Sequence, residues 1–216
     1  MSKDQIKART EISVDPNAIR SRIIPVFVNK GRNVGPEMAK TTFLDMAVIF
    51  KFYIGHDDKN NGVMTMAVTN EMLDIYGIDA EGMFKESMSN ASRMIPPEII
   101  NMKEALGGDT PDADNDPLYV VSNRILHFGA PGIFQPMEAA NFCKKHHSEG
   151  IYILPSSIHE TMIITKEDAD RIYIDVDGLK EIVRSTNDDT VLAVTPEAYL
   201  SDSVYYFNAI SGFSIL

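Results

Sequence analysis

Ile151-Tyr152-Ile153-Leu154-Pro155-Ser156-Ser157-Ile158-His159-Glu160-Thr161-Met162-Ile163-Ile164 is the stretch that decides the fold class. Two apolar runs rich in β-branched residues flank a Pro-Ser-Ser turn, which reads as two strands joined by a reversal. Working outward finds the same alternation of strand and helix. Upstream, Ile23 to Val28 reads as a strand closed by Asn29-Lys30-Gly31, with Pro25 favouring a sheet edge. Phe43 to Ile54 and Val63 to Thr69 read as strands around the turn-rich Gly55 to Gly62, a second hairpin. Asn70 is placed to cap a short helix stopped by Gly77, and Asp79 a longer one carrying Met83, Phe84, Met88, Ala91 and Met94. Pro96-Pro97 ends that helix, and Glu98 to Leu106 reads as a third, weaker one. Leu118 to Val121 reads as a strand, Pro136 to His147 and Asp177 to Thr186 as helices, and Pro196 to Leu200 as a short helix before a strand at Val204 to Phe207. The fold class that follows is α+β, mainly antiparallel strands with packed helices.

The division expected along the chain is a loose N-terminal arm (1–18), an N-terminal α+β subdomain (19–108), an exposed acidic connection (109–117) and a C-terminal α+β subdomain (118–216). The connection has two prolines and almost nothing to bury. With 216 residues the chain is long enough to bury roughly 70% of its unfolded surface without disulfides or metal. Its 31 acidic against 20 basic residues give a net charge of −11, which argues against a duplex DNA-binding surface. A single cysteine, Cys143, excludes an intramolecular disulfide and any four-cysteine zinc site. No stretch has the ~18 apolar residues of a membrane span, and the polar N-terminus lacks a signal-peptide core. A cytoplasmic protein is expected.

Three clusters could carry chemistry. Cys143, His146 and His147 fall at i, i+3 and i+4 of a predicted helix, on one face, and could hold zinc with His159 or Glu160 as a fourth ligand. Against this, the spacing matches no zinc-finger pattern, and a buried thiol with a His pair at the helix C-terminus is also an ordinary structural arrangement. Asp112, Asp114 and Asp116 open a calcium loop that fails at Pro117, where glycine is needed, and at Asn123, where a bidentate Glu is needed. Ser156, Ser157, His159 and Glu160 supply the residue types of a nucleophilic triad, but without a G-x-S-x-G elbow or an H-E-x-x-H pair. In the structural alternative the same hydroxyls and imidazole satisfy backbone groups of a turn. No phosphate-cradling glycine motif is present, so no cofactor is called for. The twelve methionines read as adaptable core packing.

Several blocks are familiar in combination: Ile24 to Lys30, Phe43 to Phe50, Thr69 to Gly77, Tyr119 to Asn123, Tyr152 to Glu160 and Leu200 to Tyr206. In this order they resemble a bacterial family catalogued only as domain of unknown function 5688. The resemblance covers Ile23 to Phe207; Leu154-Pro155-Ser156-Ser157-Ile158-His159-Glu160 is its most specific element. It implies an intracellular bacterial protein with the family's common fold and carries over no catalytic residue. Family members often have more chain before the Val-Asn-Lys strand, so this one is expected to be a shortened member.

The function expected is that of a non-enzymatic binding, interaction or regulatory accessory protein with a protein partner. The alternative is a small hydrolase or metal-dependent enzyme built on Ser157, His159 and Glu160 with Cys143, His146 and His147 nearby. That alternative requires the two clusters to meet in one concave pocket. A second alternative is single-stranded nucleic-acid binding through local patches such as Lys144-Lys145 or Arg20 and Arg22.

Overall fold

The computed structural model describes residues 16–32, 34–57, 59–60, 62–107, 117–188 and 195–216. After a short helix α1 (Pro16–Arg20), the strands β1 (Ile23–Asn29), β2 (Lys40–Phe43), β3 (Met46–Asp57) and β4 (Gly62–Ala67) form the first sheet. β3 is its axis. β1 pairs along one side of β3, while β2 and β4 share the other, β2 against Met46 to Ile49 and β4 against Lys51 to Asp57. Among the described residues β1 has only β3 as a neighbour, so Pro25, which has no amide proton to give, sits on an edge as expected. Helices α2 (Asn70–Tyr76) and α3 (Ala80–Met94) follow, and α3 packs on β1.

The second sheet takes in β5 (Pro97–Asn101), and after a one-turn helix α4 (Met102–Ala105) it continues with β6 (Leu118–Asn123). Beyond helix α5 (Pro136–Lys145) come β7 (Ile151–Pro155) and β8 (Thr161–Thr165), the hairpin read from the sequence. Helices α6 (Lys166–Arg171) and α7 (Val176–Thr186) precede the closing strands β9 (Tyr205–Asn208) and β10 (Gly212–Ile215). The strand order is β10-β9-β7-β8-β6-β5, antiparallel throughout. The protein is α+β. No helix among the described residues is long and apolar enough to cross a membrane.

Alternation along β7 and β8 explains why both faces of this sheet are covered. Ile151, Ile153 and Ile163 point into the core shared with the first sheet, whereas Leu154, Met162 and Ile164 meet Leu179 and Val183 of α7. The shared core is held by aromatic rings. Phe134, 1% exposed, lies 5.5 Å from Phe27 of β1, 5.7 Å from Phe43 of β2, 5.4 Å from Tyr205 of β9 and 5.6 Å from Phe213 of β10, measured between ring centroids. One side chain thereby touches both sheets.

Several local expectations need correction. Glu98 to Asn101 is strand, not helix: Ile99 and Ile100 are β-branched, the segment leaves a proline already extended, and β6 offers a complete ladder from Pro97↔Asn123 to Asn101↔Tyr119. Only Met102–Ala105 stays helical, capped by Asn101. The Phe43 to Ile54 strand is broken at its start by a turn in which Leu44 takes φ 54°, separating β2 from β3. Thr69, not Asn70, caps α2, its hydroxyl accepting from the Met72 amide at 3.3 Å. Gly77 ends that helix at φ 63°, as its sequence position implied. Of the methionines, Met83 is buried, but Met64 and Met66 lie exposed on β4. Most of the acidic connection at 109–117 lies outside the described residues. The sheets themselves divide earlier, between β4 and β5, and the two halves of the chain share one core.

Because Phe134 joins both sheets, Phe134→Ala is expected to cost about 3–5 kcal/mol through the lost transfer energy and the cavity left behind. Urea melts followed by tyrosine fluorescence and by far-UV circular dichroism check this; a loss below about 1 kcal/mol would show the ring to be replaceable.

Candidate functional site

The turn between β7 and β8 is closed by its own polar side chains. The Ser156 hydroxyl donates to the Glu160 carbonyl at 3.2 Å, and the Ser157 amide donates to the same oxygen at 3.1 Å. Ser157 Oγ accepts from the His159 amide at 3.0 Å. The His159 carbonyl in turn accepts from the Ser122 hydroxyl at 3.0 Å and from the Gly129 amide at 3.0 Å. This docking explains Gly129: a Cβ there would stand 2.5 Å from that carbonyl oxygen and 2.8 Å from Ser122 Cα.

The His159 ring is half-buried against the loop that follows β6. It stacks on Phe128 (centroids 5.8 Å apart) and meets His127 edge-on at 5.2 Å. Its Nδ1 accepts from the Phe128 amide at 3.3 Å, which places the ring proton on Nε2. Burial, and secondarily the neighbouring His127, hold its pKa below the ordinary imidazole value. In the same loop Leu126 and Phe128 adopt φ 53° and 56°, a left-handed conformation costly for non-glycine residues. His159 anchors Phe128, while the Leu126 amide donates to the Asn123 carbonyl at 2.9 Å and the Asn123 side chain bonds the backbone of Ile125 and His127. The structure thus brings Ser156, Ser157, His159 and Glu160 together, with both hydroxyls and the imidazole Nδ1 engaged by backbone groups.

The cysteine–histidine cluster lies elsewhere. α5 ends at Lys145, two residues earlier than the sequence suggested, and His147 turns away at φ 54°, so the i, i+4 relation of Cys143 to His147 does not hold. Cys143 is a buried free thiol whose pKa burial, and then Glu167, pushes up. His146 stacks on Phe142 at 4.2 Å and meets Tyr119 edge-on at 4.9 Å; burial lowers its pKa, and its Nε2 is buried without a hydrogen-bond partner. Tyr119 and Ser122 are three residues apart on β6 and face opposite sides. His146 lines a small pocket with Ile99, Tyr119 and Phe142, and none of Ser156, Ser157, His159 or Glu160 borders it. Among the described residues no three His, Cys, Asp or Glu side chains are grouped to hold a metal ion. Asp112, Asp114 and Asp116 lie outside the described residues.

Two features escaped the sequence reading. Asp45, in the β2–β3 turn, accepts from the Tyr205 hydroxyl at 2.5 Å, from Ser203 at 2.6 Å and from Ser201 at 3.2 Å. Ser201, Ser203 and Tyr205 alternate at period two, a signal that would have put their hydroxyls on one face. Burial and then the Asp45 bond raise the Tyr205 pKa, while burial and the Asp202 charge push Tyr199 up to about 12.

The second feature is a cleft of about 540 Å³ between the tip of the β3–β4 hairpin and the paired ends of β5 and β6. Met94, Ile95, Pro96 and Ile125 give it apolar surface, and Tyr53 contributes a hydroxyl bonded to His56 Nδ1 at 2.8 Å. Glu98 and Arg124 bring opposite charges into it, and among the described residues neither has an ion-pair or side-chain hydrogen-bond partner. The lining of the cleft is mixed, with polar surface exceeding apolar, and convergent polar groups of this kind are what orient a small ligand.

The chain belongs to the family described as a family of unknown function, DUF5688, whose model matches residues 1–209. No curated protein and no solved structure matches it.

Asp45→Ala would strand three hydroxyls in a half-buried setting, and a loss of at least about 3 kcal/mol is expected in denaturant melts. A variant as stable as the parent would mean that water replaces the carboxylate. For His159→Ala the expected loss is about 1–3 kcal/mol at pH 8, from the unsatisfied Phe128 amide and the released loop. The folded pKa of His159 is depressed, so its stabilisation is complete above the unfolded value of about 6.5 and is lost as pH falls below it. The gap between parent and variant should therefore narrow from pH 8 to pH 5; a constant gap would refute the titration.

Proposed function

We propose that this protein is a non-enzymatic binding protein of the bacterial cytoplasm, and that its site is the cleft between the β3–β4 hairpin and the ends of β5 and β6. The observation that carries this reading is the cleft itself, of mixed lining, bordered by two opposite charges, Glu98 and Arg124, that have no partner among the described residues. Two exposed, unpaired charges of opposite sign at one cleft equip it for a polar ligand. The chemistry of the β7–β8 turn supports binding over turnover, since Ser157 Oγ meets the amide of His159 and not its ring. A nucleophile needs its base on the hydroxyl proton. The cytoplasmic part of the reading rests on the single reduced cysteine and on the family resemblance.

A fragment library screened by two-dimensional amide NMR on the full chain tests this. Binders are expected to shift the resonances of Tyr53, His56 and Ile125 and to bind Ser157→Ala with unchanged affinity. Hydrolysis of an ester, peptide or phosphoester panel that disappears in Ser157→Ala would overturn the reading in favour of the hydrolase alternative.

A further inference from the structure

We propose that the cleft takes a free amino acid with an apolar side chain, its carboxylate on Arg124 and its ammonium on Glu98. This inference rests on the reading of the cleft as the binding site and adds the class of ligand.

The placement of the two charges follows from the β5–β6 register. Glu98 stands opposite Ser122 and Pro97 opposite Asn123, so Arg124 is the first residue beyond the ladder. Arg124 lies in the turn just past it, so it borders the same cleft as Glu98 without a strand partner of its own. Both side chains are exposed, and they do not close on each other. An exposed pair of that kind gains little by closing, so a ligand supplying both complementary charges has little to displace. A guanidinium matches a carboxylate through two parallel N–H donors, and a carboxylate accepts the protons of an ammonium. The overall charge of −11 bears on the choice as well. It repels a simple organic anion and attracts any cation without discrimination, whereas a zwitterion has no net charge to be repelled and is selected by the cleft alone. Met94, Ile95 and Ile125 supply the apolar surface for the side chain. At about 540 Å³ the cleft falls in the ordinary size range for small-molecule sites, roughly 300–1,000 Å³.

The test is an amide NMR titration of the full chain with L-leucine, N-acetyl-L-leucine, L-leucinamide, glycine and the dipeptide leucyl-leucine. L-leucine is expected to shift Tyr53 and Ile125, and each capped form and glycine to bind at least ~10-fold more weakly. Glu98→Gln should abolish the discrimination against N-acetyl-L-leucine, and Arg124→Gln that against L-leucinamide, with both variants melting as the parent does. Tighter binding of leucyl-leucine than of leucine would keep the zwitterion and move its source to short peptides. Equal binding of free and capped forms, or leucine affinity unchanged in both variants, overturns the proposal. If the fragment screen finds cleft binders and L-leucine is not among them, the ligand class falls while the binding site stands. If no compound shifts Tyr53 or Ile125, both fall.

Discussion

Contact of Phe134 with both sheets is the interaction on which the rest of the structure depends. Its ring meets Phe27 and Phe43 from the first sheet and Tyr205 and Phe213 from the second. Neither sheet could bury its inner face alone, because a sheet with one uncovered apolar face needs another layer against it. The layer each receives is the other sheet, joined through these rings; α3 adds Met83 and Phe84 to the same cluster, and α7 covers the outer face of the second sheet. Phe134 follows the loop that starts at Asn123, so the path of that loop fixes where the ring enters the core.

That path is set by polar contacts. The His159 carbonyl gathers the Gly129 amide and the Ser122 hydroxyl, and the His159 ring takes the Phe128 amide. With Asn123 holding the Leu126 amide, two non-glycine residues are kept in left-handed backbone geometry, a local cost sustained by the surrounding contacts. At the far side of the core Asp45 ties the β2–β3 turn to the strand entering β9 through three hydroxyl donors. Each closure satisfies groups that would otherwise be stranded near the core. The histidine most suggestive of catalysis is thus part of the scaffold that sets the loop.

The cleft is a consequence of this arrangement. β5 leaves the end of α3 and joins the second sheet, while the β3–β4 hairpin projects from the first, so a gap opens where the sheets part. Glu98 and Arg124 border it because the β5–β6 ladder ends there. Binding sites commonly occupy such junctions, where rigid elements hold side chains apart over a preformed concave surface.

How much of this was legible in the sequence depends on the range of the forces involved. Local rules determined the α+β class, the β7–β8 hairpin, the Asp79 cap and Gly77 stop, and the edge position of Pro25, since each rests on residues a few positions apart. The Pro-Ser-Ser turn was legible too, including serines that bond backbone groups. Tertiary structure alone decided that Glu98 to Asn101 would be a strand, because its partner β6 lies beyond the acidic segment. It alone placed Asp45 against Tyr205, 160 residues away, and left His146 in a pocket with Tyr119 and Phe142 that the Pro-Ser-Ser turn does not border. It alone brought Arg124 beside Glu98 at one cleft. The physical reason is that periodicity and capping act within one or two turns of chain, while pairing and burial join partners whose separation leaves no local mark in the sequence.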